Sequence, residues 1–220
     1  MPLNCASDAP LAKNVPAVPS GPTKVNGPLA LLLAAAGRAA AADSPAAEGP
    51  RAVTRNALER SNAIVRGSGD RQQKLLALRD VLRDFLDTEA LARLAAGKHL
   101  DGRSPEETAE FLRLFRELFI RTYVQRLLLF DAPDFAYGEE RVTGDTATVG
   151  TEIVTPRDRF TVDYTFRHTQ SGWRATDILV EQVSLAQNFR AQFDTALAKN
   201  SFQDLLALLR KKVDGAAAAS

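Results

Sequence analysis

Cysteine and histidine are nearly missing from this chain, and their scarcity narrows the chemistry at once. One cysteine, Cys5, cannot close an internal disulfide, and two histidines far apart in sequence, His99 and His168, leave no donor set for a His/Cys metal centre. An excess of either charge is missing too. Lys+Arg number 28 against 27 Asp+Glu, for a net charge of +1, so no global field favours nucleic acid or an anionic membrane. The longest apolar stretch falls far short of the roughly 20 residues that span a bilayer. No G-x-S-x-G, H-E-x-x-H or C-x-x-C occurs, and the paired acids Glu106/Glu107 and Glu139/Glu140 are sequence neighbours whose side chains diverge. Neither a metal nor an organic cofactor is implied. What is present, 45% hydrophobic residues in 220, suffices for one domain with a sizeable core.

The first 42 residues form a separate object. Pro2, Pro10, Pro16, Pro19, Pro22 and Pro28 break any periodicity, which predicts a disordered leader. Lys24 then precedes the apolar run from Leu29 to Gly37, and small residues continue to Ala42 before Asp43. A basic approach, a short apolar core and Ala-x-Ala before an acid have the form of a secretory signal, cleaved near Ala41 or Ala42. Cleavage there would remove Cys5. Residues 43–50 read as a linker, 51–213 as the folded domain and 214–220 as a frayed tail.

Helical periodicity begins after Pro50. Residues 51–66 form a first helix, ended by Gly67-Ser68-Gly69-Asp70, a turn rather than a phosphate loop. Leu75, Leu78, Leu82 and Phe85 mark an amphipathic second helix, and Asp87 caps a short third over 88–96, stopped by Gly97. Ser104-Pro105-Glu106-Glu107 is a capping box with proline at the first helical position, opening a long helix to about Phe130. Its apolar face carries Phe111, Leu114, Phe115, Phe119 and Tyr123.

Between 134 and 181 the period changes to two. Strands are expected at 135–142, 146–155, 159–168 and 172–181, joined by Gly144-Asp145, Pro156-Arg157-Asp158 and Gln170-Ser171-Gly172. Short turns imply an antiparallel meander, greasy on the face of Phe160, Val162, Tyr164, Phe166 and His168. In the last strand Trp173 and Ala175 fall on one phase while Ile178 and Val180 fall on the other, so a bulge or bend is expected around Asp177. Ser184 caps a helix over 184–199, and a final helix runs from Ser201 to Lys212. The fold class is therefore α+β: helices, a four-stranded antiparallel meander, then C-terminal helices.

The stretch Trp173-x-x-x-Asp177 … Glu181-Gln182-Val183-Ser184-Leu185 … Phe189-Arg190-x-x-Phe193 resembles a motif of the MlaC family, periplasmic phospholipid carriers also called toluene-tolerance auxiliary proteins of ABC transporters. The segment from Phe85 to His99 is similar to a second signature, in which an aspartate (Asp87) opens a helix and a glycine (Gly97) closes it. The resemblance spans 51–213. Lys98, His99 and Leu100 stand where the family has an aromatic, Gln182 replaces its usual glycine and Phe189 its usual tyrosine.

That resemblance implies an apolar cavity enclosed by sheet and helices. It also implies lipid traffic between an outer-membrane lipoprotein complex and an inner-membrane ABC transporter with an MCE-domain subunit. The expected lipid-binding residues are Phe115, Phe119, Tyr123, Val162, Tyr164, Phe166, Phe189 and Phe193. Arg190 is expected at the rim beside a phosphate headgroup, or else in an ion pair with Glu181 or Asp194. A related branch, HpnM, would make the cargo a hopanoid. Two other classes stay open at this stage, a binding module without cargo and a small-molecule enzyme on a cone-like α+β fold. The enzyme would need Asp163 or His168 deep in a pocket.

Overall fold

The computed structural model describes residues 48–129, 133–156 and 158–218; the expected leader and secretory signal lie outside them. Three helices come first, α1 (Pro50–Arg66), α2 (Arg71–Phe85) and α3 (Thr88–Ala96). A 3-10 turn (Gly97–Leu100) leads to the long helix α4 (Pro105–Leu127). Five strands follow, β1 (Asp134–Thr143), β2 (Thr146–Val154), β3 (Arg159–Thr169), β4 (Gly172–Val180) and β5 (Val183–Ser184). The chain ends in α5 (Leu185–Leu197) and α6 (Phe202–Ala218). The four expected strands sit within a residue or two of their places. The sheet, however, has a fifth strand, in the order β1-β2-β3-β4-β5, antiparallel throughout. Helix α4 stops at Leu127, short of Phe130, whereas α6 runs to Ala218, through most of the stretch expected to fray.

Local chemistry fixes the helix starts. Asp70 and Gln73 make a reciprocal capping box on α2, and Ser104 and Glu107 make one on α4. Ser201 and Asp204 do the same at α6, with Asp204 N donating to Ser201 Oγ at 3.1 Å and Ser201 N to Asp204 Oδ2 at 2.9 Å. Each pair satisfies amide donors that a helix start leaves open, worth about 1 kcal/mol per cap.

The helices cover one face of the sheet. Glu140 on β1 accepts the amide of Arg51 at 2.8 Å, and the Arg55 guanidinium lies 4.9 Å from the Tyr137 ring centre, which seats α1 on β1. Phe85 at the end of α2 drives edge-on into Tyr164 and Phe166 of β3, at 5.3 and 5.7 Å. Helix α4 packs on α2, α3 and α6, and α3 on α5. Ala147, Val149, Phe160, Val162, Tyr164 and Phe166 form the buried floor of this face. The sheet is covered on one side, as its alternation foretold.

Candidate functional site

The motif from Trp173 to Phe193 is the joint of the molecule. Thr165 pairs with Asp177 but the next residue, Phe166, pairs with Ala175, so Thr176 is an extra residue on β4. This bulge resolves the phase slip in the sequence. Trp173 and Ala175 before it, and Ile178 and Val180 after it, all lie opposite residues of the inner face.

Asp177 then ties the strand to α5. Its carboxylate accepts the Ser184 hydroxyl at 2.5 Å and the Ala186 amide at 3.1 Å, while Ser184 Oγ accepts the Gln187 amide at 3.0 Å. Between them, Glu181 and Gln182 turn with φ of 48° and 66°, the left-handed values of a two-residue hairpin that pairs β5 to β4. The glycine usual in the family at 182 would take that conformation without strain. Here Gln182 takes it, and its amide donates to Asp163 Oδ2 at 2.8 Å. Glu181 receives the amide and hydroxyl of Thr161, prolonging the β3–β4 ladder by a side chain.

Two arginines of the motif close helices far away in sequence. Arg174 donates to the carbonyls of Arg83 and, at 2.8 Å, Leu86, at the end of α2. Beside it the Asp87 amide reaches Ala175 O at 2.8 Å, and Leu86 bridges Ala175 in parallel. Arg190 donates to Leu94 O, in the last turn of α3. Both place a cation where a helix dipole is negative and carbonyls lack partners.

This corrects one expectation for Arg190: it pairs with neither Glu181 nor Asp194, and one of its guanidinium nitrogens goes to the open carbonyl of α3 instead. Gly97 explains why glycine closes that helix. Its backbone sits at φ 53° and ψ −132°, and a β-carbon there would lie 2.9 Å from Cζ and Nη2 of Arg190. Asp194 pairs instead with His99 Nε2 at 2.5 Å, so one residue of the Lys98-His99-Leu100 departure fastens to α5.

The expected lining residues divide into two aromatic groups. Phe115, Phe119, Tyr123, Phe189 and Phe193 lie together between α4 and α5. Phe115 meets Phe189 at 5.1 Å edge-on, and Phe119 stacks on Tyr123 at 4.3 Å. Tyr164 and Phe166 lie on the sheet with Phe85 between them. Phe85 belongs to this wall and was not among the expected lining residues, although its helical spacing had marked it as core. Val162, two residues from Tyr164 on the same face, is 4% exposed.

One polar atom stands out in this interior. The Tyr123 hydroxyl is shut off from water and has no hydrogen-bond partner. Burial pushes its phenol well above the usual tyrosine range; the Arg126 charge opposes this, and the Asp177 carboxylate reinforces it. Such an atom forgoes about 1–3 kcal/mol relative to a paired one. Apolar walls with a single unengaged donor suit a long apolar molecule that carries one hydrogen-bond acceptor.

The acid–base candidates are placed elsewhere. His168 is exposed, its ring edge-on to Trp173 at 5.0 Å, and Asp163 is half-buried on the outer face, held by Gln182. Among the described residues no group of three His, Cys, Asp or Glu could hold a metal ion, and no helix is long and apolar enough to cross a membrane.

The family model described as MlaC protein matches residues 53–211. This chain belongs to the MlaC family. Among solved structures, the phospholipid-binding protein from Ralstonia solanacearum, determined in complex with a phospholipid, shares the fold. It is 22% identical, with a TM-score of 0.68 over 77% of this chain and 99% of that one. Both features by which the sequence resembled the MlaC family are thus structural devices. Asp87 and Gly97 bound α3, and the Trp173–Phe193 stretch closes the ends of α2 and α3.

Proposed function

We propose that this chain is a periplasmic phospholipid carrier whose acyl chains lodge between the α4–α5 aromatics and the inner face of the sheet. The observation that carries the reading is the buried, unpartnered Tyr123 hydroxyl in the α4–α5 aromatic group, in a fold shared with a protein solved with phospholipid bound. Phe115, Phe119, Phe189, Phe193, Val162, Tyr164 and Phe166 flank the tails, and Tyr123 donates to an ester carbonyl, the acceptor where tail meets headgroup. Arg190, exposed and with one guanidinium nitrogen on Leu94 O, keeps further donors for a headgroup at the rim.

Energetics define the carrier's task. Two acyl chains of about 30 methylenes in total gain roughly 20 kcal/mol on leaving water, at about 0.8 kcal/mol each. Spontaneous release into water is then negligible on any biological timescale, so unloading needs a partner with its own apolar path. An outer-membrane lipoprotein complex and the MCE-domain subunit of an inner-membrane ABC transporter are the partners this reading supplies.

Lipid extraction and mass spectrometry of protein purified from a periplasm tests it. Diacyl phospholipid near one equivalent per chain is expected. Lipid-free protein that also fails to take lipid from liposomes would sink the reading, and a polycyclic lipid in the extract would replace phospholipid with a hopanoid.

A further inference from the structure

Five arginines gather in a cleft of about 630 Å³ between α2, α3, α4 and the β3–β4 turn, with Leu86 and Ile120 at its base. Three of them have work elsewhere or partners of their own. Arg174 holds the end of α2, Arg83 pairs with Asp80 at 3.4 Å, and Arg113 with Glu117 at 3.6 Å. Arg79 and Arg116 are different. Among the described residues neither has a hydrogen-bond or ion-pair partner, and the Arg79 Nε is buried with its proton unused.

The carboxylates of the cleft make their contacts with other groups. Asp87 is spent on the Ala90 amide at 2.9 Å, Glu89 on Arg93 at 2.9 Å, and Glu117 on Arg113 and, at 3.9 Å, Arg121. Five guanidinium groups outnumber the three carboxylates that line the cleft, and burying the Arg79 Nε–H without an acceptor is costly. The cleft is concave and of the size that accepts a small molecule rather than flat like a protein interface. Guanidinium forks match the oxygens of a phosphate in pairs, and the Ser171 hydroxyl lines the cleft as a further donor, whereas that of Thr169 already donates to Gly172 O at 2.9 Å.

We propose that this cleft binds a phosphate group, with Arg79 and Arg116 as its principal donors. The group reaches it from one of two sources, a soluble phosphate ester or the headgroup of a lipid at a membrane surface. The site does not depend on where acyl chains lodge, and so stands apart from the carrier reading.

The test uses the full chain freed of lipid, and titrates it with inorganic phosphate and glycerol 3-phosphate. In parallel it measures flotation with vesicles of phosphatidylglycerol and of phosphatidylcholine. Saturable binding of the soluble probes, weakened about tenfold or more in R79Q/R116Q and unchanged in the charge-matched K199Q/K211Q, supports a soluble ligand. Flotation with phosphatidylglycerol alone, lost in R79Q/R116Q and kept in K199Q/K211Q, supports the headgroup. Absence of both, or equal loss in the two double variants, overturns the proposal and makes the arginines a solvated surface. Because both variants remove only exposed or unpartnered charge, their melting temperatures should match the parent's or rise in R79Q/R116Q, which separates lost binding from lost folding. Acyl-chain uptake, read by extraction on the same samples, reports on the carrier reading independently.

Discussion

Replacing Gly97 with alanine tests whether the end of α3 is held as described. The backbone at φ 53°, ψ −132° is closed to a residue with a β-carbon, at about 1–3 kcal/mol. The new methyl would also lie 2.9 Å from the Arg190 guanidinium. A free arginine would swing aside at little cost, but this one is bound to Leu94 O, and a hydrogen bond from a charged donor is worth about 1.5–3 kcal/mol. Loss of unfolded-chain entropy returns about 0.4–1 kcal/mol. The expected net loss is about 3 kcal/mol in urea denaturation. The decisive version is a double-mutant cycle with Arg190→Met, which keeps the apolar stem and removes the fork. In that background Gly97→Ala should cost only the backbone strain, giving a coupling of about 1.5 kcal/mol or more. A loss below about 1 kcal/mol, or the same loss with and without Arg190, would refute the account.

Other expectations follow from neighbouring features. Tyr123→Phe removes a hydroxyl with no partner, so lipid-free protein should be as stable as the parent or up to about 1 kcal/mol more so, while retaining lipid less well; a clear destabilisation would reveal a partner for the hydroxyl. Val162→Trp should displace lipid yet spare most of the lipid-free stability, whereas an ordinary core loses about 1–3 kcal/mol or more on overpacking. The Arg210 fork holds the Glu110 carboxyl below its ordinary value of 4.5, with bonds of 2.6 and 2.7 Å. A depressed folded-state value stabilises above the unfolded one and is lost as pH falls through the folded one, so the stability gap between parent and Arg210→Gln should close on acidification; a gap that widens below pH 4.5 would reverse the sign. Protein recovered from a periplasm should begin near Asp43 on N-terminal sequencing, and an intact Cys5-containing chain would remove the export signal from the reading.

The sequence disclosed what neighbours decide. The capping box at Ser104, the cap at Asp87, alternation in β3 and the phase slip near Asp177 are written within a few residues, and each has its counterpart in the fold. What stayed hidden joins residues about ninety positions apart. Nothing in the periodicity around Arg174 or Arg190 shows that one meets Leu86 and the other Leu94, because a C-terminal carbonyl accepts any cation that tertiary packing brings near. The fifth strand was missed for another reason. Two residues are too few for a period, and Ser184 carried a helix cap that is equally real. For the site, periodicity put these aromatics on inward faces without revealing that they divide into two groups, or that the Tyr123 hydroxyl would lack a partner.

The late closure of the early helices bears on how the chain reaches its shape. Helices α2 and α3 leave the ribosome early, yet their last carbonyls wait for Arg174 and Arg190, and the bridge from Leu86 waits for Ala175. Short helices are marginal in water until tertiary packing supports them. A nascent segment ending before β4 therefore lacks what finishes its helical half, and the cooperative unit completes only when about nine-tenths of the chain is available. Vectorial synthesis gives such a chain little chance to fold prematurely, because a segment that ends before Arg190 still lacks the donor that closes α3.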